Sequence, residues 1–195
     1  MLIGITGGSG CGKSVAAEAF KDLGAEIIDA DKSAREITKK GGRALCEIEA
    51  VFGSEFIGSD GELLRKKLGS LVFSDKKMLD KLNNIVGKYI KEDIDEKIEN
   101  SAAELVVLDA PLLLEYRLEE RCDAVVAVTA SREIRLERIV ARDKISYEDA
   151  KNRINSQKKD EYYLEKADYI VYNNSTREEV QRQVKQIIDK IKEQK

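Results

Sequence analysis

Five short runs of apolar, largely β-branched residues recur along the chain, at Leu2 to Thr6, Ala25 to Ile28, Leu105 to Leu108, Ala124 to Val128 and Tyr169 to Val171. Runs this apolar suit strands buried on both faces, and their alternation with amphipathic stretches predicts a parallel sheet flanked by helices, an α/β fold. The spacing is uneven. Between the second and third runs lies a stretch without a convincing strand, far longer than a crossover helix requires. Within it Leu45, Ile48 and Phe52 share a helical face, and Gly41-Gly42 suits the end of a preceding helix. Leu79, Leu82, Ile85, Tyr89, Ile94 and Ile98 keep a helical period over a longer stretch, so an inserted helical lobe is expected. Near the end, Val180, Val184, Ile187, Ile188 and Ile191 line one face of a helix that Ser175-x-x-Glu178 would open as a capping box.

With 195 residues, 42% of them apolar and 36% charged, the chain can bury a sizeable core in one soluble domain and is not a disordered tail. There is no internal repeat or Pro/Ser-rich linker, and the one proline is Pro111. Lys and Arg number 34 against 37 Asp and Glu, a net charge of −3, so no global positive field would hold nucleic acid or an anionic membrane. Any anionic ligand must be held locally. No apolar run approaches the roughly 20 residues of a membrane span, and Met1 to Thr6 carries no basic leader region, so a cytoplasmic location is expected. Histidine is absent and the three cysteines, Cys11, Cys46 and Cys122, are scattered. That argues against a disulfide framework and a zinc site, and it excludes imidazole acid-base chemistry.

The strongest local signal is Gly7-Gly8-Ser9-Gly10-Cys11-Gly12-Lys13-Ser14, a G-x-x-x-x-G-K-[ST] motif between the first expected strand and a helix starting near Lys13. A loop that turns its amides inward around phosphate oxygens needs conformations open to glycine, and the following helix adds the positive end of its dipole. Lys13 is then placed to neutralise the β- and γ-phosphates, and the Ser14 hydroxyl to ligate Mg²⁺. Gly8, Ser9, Gly10, Cys11 and Gly12 are expected to contribute backbone, Cys11 through its backbone rather than its thiol.

Three further constellations carry chemistry. Asp29 and Asp31 follow the second run, at the carboxyl end of a strand where ligands of open parallel sheets collect. One carboxylate there can orient a hydroxyl or accept its proton, and the other can hold a metal-bound water. Against this, Asp31 can simply cap a helix over Lys32 to Lys39, and Asp29 can be a turn residue. Asp109 ends the third run in the manner of a Walker B acid that supports Mg²⁺. The following Pro111-Leu112-Leu113-Leu114-Glu115 either lines the cleft, with Leu112 and Glu115 toward an acceptor, or belongs to the core. Between 132 and 159, nine basic residues face five acids, a local +4. Arg135, Arg138 and Arg142 share a helical face there, and Ser146-x-x-Asp149 suits the start of the next helix. A closing lid would supply such arginines to a transferring phosphoryl group, Arg142 first and Arg138 second, whereas a solvated charged helix pair accounts for most of the nine.

In this order the elements resemble the dephospho-coenzyme A kinase family nearly end to end. The resemblance is carried by Ile3 to Gly8 with Gly12-Lys13-Ser14, Ile28-Asp29-Ala30-Asp31 with Ala34-Arg35, and Phe52-Gly53. It continues through Asp60-Gly61-Glu62-Leu63 with Arg65 and Leu68, Val72-Phe73, and Leu82-Asn83-x-Ile85. Asp109 to Glu115, the run from Arg138 to Gln157, and Ala167-Asp168 with Asn173 complete it. It implies a P-loop core on a five-stranded parallel sheet (about 1–31, 101–131 and 160–195), a helical acceptor lobe (about 32–100) and a lid (about 132–159). It also implies transfer of the ATP γ-phosphoryl, with Mg²⁺, to the ribose 3′-hydroxyl of dephospho-coenzyme A. By that analogy Asp31 is the base or hydroxyl-orienting group, Arg35 and Arg65 hold the acceptor, Arg142 serves the lid, and Asn173 lies near adenine. Gly87-Lys88 stands where the family usually has His-Pro, Leu64 stands where it often has asparagine, and the apolar-proline step after Gln157 is missing. All three departures fall on the acceptor or lid side. A nucleoside or nucleotide kinase, or a nucleotide-binding regulatory module without catalysis, are the other readings of the same motifs.

Overall fold

In the computed structural model, which describes residues 1–193, the five apolar runs form one sheet. The last two residues of the expected C-terminal helix and core lie outside the described residues. The strands are β1 (Leu2–Thr6), β2 (Glu26–Asp29), β3 (Val106–Asp109), β4 (Ala124–Thr129) and β5 (Tyr169–Tyr172), in the order β2-β3-β1-β4-β5. β1 pairs in parallel with β3 and with β4, and β4 with β5. Every residue of β1 is buried, as are the first five of β4 and the first three of β3, the pattern of strands covered on both faces. The edge strands depart from the expected double burial. β2 and β5 each bury one residue, because a strand at the margin has a neighbour and a covering layer on fewer sides.

The chain divides into two compact units, one of Met1–Ile28 with the chain from Ser101 onward, the other Asp29–Asn100. In the first, α1 (Lys13–Asp22) and α9 (Arg177–Glu193) cover the sheet face presented by Ile3, Ile5, Val107, Val126 and Val171. Phe20 of α1 and Val184 and Ile188 of α9 fill that layer, and burial of side chains this large contributes roughly 1.5–3 kcal/mol each. Two further helices, α6 (Arg132–Asp143) and α7 (Tyr147–Asn155), pair through a small core of Leu136, Ile139, Ala150 and Ile154. Ser131 and Ser146 cap them, the second as the spacing predicts. A short α8 (Asp160–Leu164) follows. The capping hydroxyl of α9 is Thr176, which accepts from the Glu179 amide, one residue beyond the expected Ser175.

The second unit is helical: α2 (Ala30–Ile37), α3 (Arg43–Phe52), α4 (Arg65–Ser74) and α5 (Lys76–Glu99), with a 3₁₀ turn at Ser54–Phe56. The long α5 is its spine. α2, α3 and α4 all pack on α5, whose Ile85, Ile90 and Ile94 are buried. Two local expectations are corrected here. α2 begins earlier than predicted, with Asp29 as its N-cap accepting from the Lys32 amide at 3.0 Å, so Asp31 lies inside the first turn and is not the cap. α2 also stops at Ile37, before Gly41-Gly42. The Thr38 hydroxyl donates back to the Ala34 carbonyl at 2.6 Å at that end, and Gly42 instead opens α3.

Asp29→Ala should destabilise the protein by about 1 kcal/mol through loss of the α2 cap. For a chain of this size that corresponds to a fall in melting temperature of roughly 2–4 °C, readable by differential scanning calorimetry.

Candidate active site

β1 is the central strand, so the loop leaving it emerges at the middle of the sheet's carboxyl edge, between the ends of β3 and β4. The register sets Ile5 opposite Asp109 and Thr6 opposite Ala127. The loop closes on α1 through Gly12, whose φ of 84° is left-handed and whose missing Cβ would lie 1.9 Å from Asn173 Nδ2. Both facts demand glycine there. Gly12 offers no side chain to cap α1, so the positive end of the helix dipole faces the loop without a capping carboxylate or hydroxyl and favours an anion there.

Lys13, the first residue of α1, donates from Nζ to Asp109 Oδ1, and both side chains are only 16% exposed. Residues that sequence reasoning assigned to phosphate and to metal are thus joined, and Ser14 follows on the same helical turn. Among the described residues no group of three or more His, Cys, Asp or Glu could hold a metal ion. A magnesium ion carried by a nucleotide needs only one or two protein oxygens beside those of the phosphates, so the Ser14 hydroxyl and the Asp109 carboxylate fit that role. The Asp29 carboxylate, the third residue assigned to metal, is engaged as the cap of α2.

The back of the loop is held by side chains from far along the sequence. Asn173, 2% exposed, donates from Nδ2 to the Cys11 carbonyl at 3.0 Å, and its Oδ1 accepts from Arg138 Nη2 at 3.2 Å. Arg138 Nη1 reaches the Gly10 and Cys11 carbonyls at 3.5 and 3.4 Å. Both residues expected near the nucleotide therefore touch the phosphate loop directly. Burial pushes the Cys11 thiol up, which keeps it a neutral packing group. Arg142 differs from its helix mates. Its side chain is 61% exposed and pairs with Asp143, whose carboxyl it holds below the usual range while Arg153 pairs with the same acid.

In the helical unit Asp31 is exposed in the first turn of α2, and Arg35 is exposed further along the same helix. Arg65 opens α4 and donates to the Thr38 hydroxyl at 2.7 Å, so the two arginines expected to hold an acceptor sit on elements tied together at that point. Gly87-Lys88 lies within α5, with Gly87 buried and Lys88 paired with Glu47. In the segment after β3, Leu113 and Leu114 are core while Leu112 is 46% exposed. Desolvation raises the Glu115 carboxyl above the ordinary carboxylate range.

Two residues of the loop's surroundings, Arg135 and Gln157, are not singled out by the sequence beyond the place of Arg135 on the arginine face of α6 and that of Gln157 in the run that resembles the family. Arg135 carried a signal: it directly precedes Leu136 and sits one turn before Ile139 on α6, yet a charged residue at such a position reads as solvated until its partners are known.

A glycine-rich loop between the central parallel strand and a helix, with a lysine at the helix start paired to a strand-end aspartate, defines a P-loop nucleotide-binding fold. Within that class the model for "CoaE: Dephospho-CoA kinase" matches residues 1–179, and the chain belongs to the dephospho-CoA kinase family. A dephospho-CoA kinase from Enterococcus faecalis is 40% identical over 190 residues, 96% of each chain. Among solved structures, TT1252 from Thermus thermophilus superposes with a TM-score of 0.83 at 30% identity over 97% of both chains. The dephospho-CoA kinase from Campylobacter jejuni gives 0.69 at 31% identity, over 97% of this chain and 96% of that one. No helix among the described residues is long and apolar enough to cross a membrane.

Proposed function

We propose that the protein transfers the γ-phosphoryl group of ATP to the ribose 3′-hydroxyl of dephospho-coenzyme A, giving coenzyme A and ADP, in the cytoplasm. The observation that carries this reading is the family match across nearly the whole chain, joined to a phosphate loop with the Lys13–Asp109 contact in place. Phosphoryl transfer asks a protein mainly to position groups and neutralise charge. Lys13 meets the negative charge of the β- and γ-phosphates, and the amides at the start of α1 cradle their oxygens. Bound with the nucleotide, Mg²⁺ would supply further charge neutralisation, with Ser14 and Asp109 as its protein oxygens. Asp31 orients the attacking hydroxyl or accepts its proton, Arg35 and Arg65 hold the acceptor's anionic groups, with Leu112 and Glu115 lining its site, and Arg142 reaches the transferring group on closure.

The test is ADP release with dephospho-coenzyme A beside a panel of nucleosides and nucleoside monophosphates. Turnover is expected with dephospho-coenzyme A alone. Turnover with a nucleoside or monophosphate instead would move the assignment to another acceptor, and tight ATP binding without turnover on any acceptor would leave a binding module.

A further inference from the structure

Ser9 of the phosphate loop is gripped at each of its polar groups by two side chains more than a hundred residues away. Its amide donates to Gln157 Oε1 at 2.8 Å, its hydroxyl accepts from Gln157 Nε2 at 2.8 Å, and its carbonyl accepts from Arg135 Nε at 2.9 Å. A primary amide presents an acceptor and donors side by side, so Gln157 matches the amide and hydroxyl of one serine at once. Arg135 is 3% exposed, and its Nη1 pairs with Asp160 at the start of α8, three residues beyond Gln157. Its Nη2 lies along Gly8, where a Cβ would come within 2.5 Å of it. Any side chain at position 8 would displace the guanidinium.

A staple that merely joined α6 to α8 would need only the Arg135–Asp160 pair. Here the guanidinium also reaches into the loop, and Gln157 reaches the same loop residue from the α7–α8 connection. Arg138 and Asn173 take the carbonyls at Gly10 and Cys11, so the outward polar groups from Ser9 to Cys11 are met from behind. A loop held this way has its conformational entropy removed when the protein folds, not when the ligand binds, which raises affinity without any added ligand contact.

We propose that Arg135 and Gln157 are positioning residues for the nucleotide: by fixing Ser9 they set the curvature of the phosphate loop, so ATP affinity depends on side chains that need not touch ATP. This rests on the loop being the triphosphate site. Isothermal titration calorimetry with Mg·ATP, in the absence of acceptor, is run on the full-length wild type, Gln157→Ala, Arg135→Lys and the double variant, each with its melting temperature and its KM for the acceptor. Gln157→Ala removes two hydrogen bonds from a partly exposed side chain and should weaken ATP binding about ten-fold, with the melting temperature and acceptor KM close to wild type. Arg135→Lys keeps the charge but loses the fork, and should weaken ATP binding about five-fold or more. Because both act through Ser9, the double variant should lose less than the product of the two. ATP dissociation constants within two-fold of wild type in both single variants would overturn the proposal. So would variants that lose thermal stability while the folded fraction binds ATP normally. A wild type that binds no ATP would instead remove the triphosphate site itself, a different and recognisable failure.

Discussion

Lys13→Ala is expected to lower kcat/KM by about a hundred- to a thousand-fold, the usual consequence of removing a preorganised charge-stabilising donor from a reacting group. Lys13 begins α1 directly behind the phosphate loop, and its Nζ already reaches Asp109 at the end of β3. The substitution therefore removes the cation that the transferring phosphates would meet and a partner of Asp109 together. Lys13→Arg separates the two effects. Arginine keeps the charge, but a planar fork does not reproduce a compact ammonium at a site shaped for a point charge, so activity should stay well below wild type. Steady-state ADP release at saturating acceptor, with ATP varied, reads both variants. Wild-type activity in Lys13→Ala would mean that this lysine meets no phosphate in the reaction.

The second large effect is expected at Asp31. As the group proposed to orient or deprotonate the acceptor hydroxyl, it should cost about a hundred-fold or more in kcat when replaced by asparagine, which has nearly the same shape and no basicity. ATP affinity should hardly change. Melting temperature should hardly change either, because the structure gives the α2 cap to Asp29 and leaves Asp31 exposed in the first turn. The pair Asp29→Ala and Asp31→Asn thus makes a crossed experiment, in which one variant loses stability and keeps its rate while the other does the reverse. An Asp31→Asn enzyme with wild-type kcat would exclude Asp31 from the chemistry.

Two residues apart, these aspartates show where reading the chain ran out. Both follow an apolar run and precede a helix, and a cap is chosen by which carboxylate faces the free amides, a matter of the φ and ψ at which the strand hands over to the helix. A similar ambiguity, here of a single residue, separates the expected α9 cap at Ser175 from Thr176, which provides it. The three arginines of α6 show a larger gap. Spacing correctly set Arg135, Arg138 and Arg142 on one face, but nothing in the spacing says that Arg135 is buried against the loop while Arg142 is turned outward to Asp143.

What the amino-acid order determined unaided is everything carried by neighbours in the chain. The five strands follow from runs of apolar residues, the long α5 from a sustained period, and the loop at Gly7 to Ser14 from a contiguous motif between strand and helix. Such signals are local because backbone conformation and the periodicity of burial repeat over a few residues. Only the tertiary structure decided which distant side chains complete the site. Asp109 meets Lys13 across 96 positions and Gln157 meets Ser9 across 148, contacts set by strand order and by helix packing that brings those segments together. A hydrogen bond needs its partners within about 3 Å, and that separation is a property of the packed fold that no interval along the chain encodes.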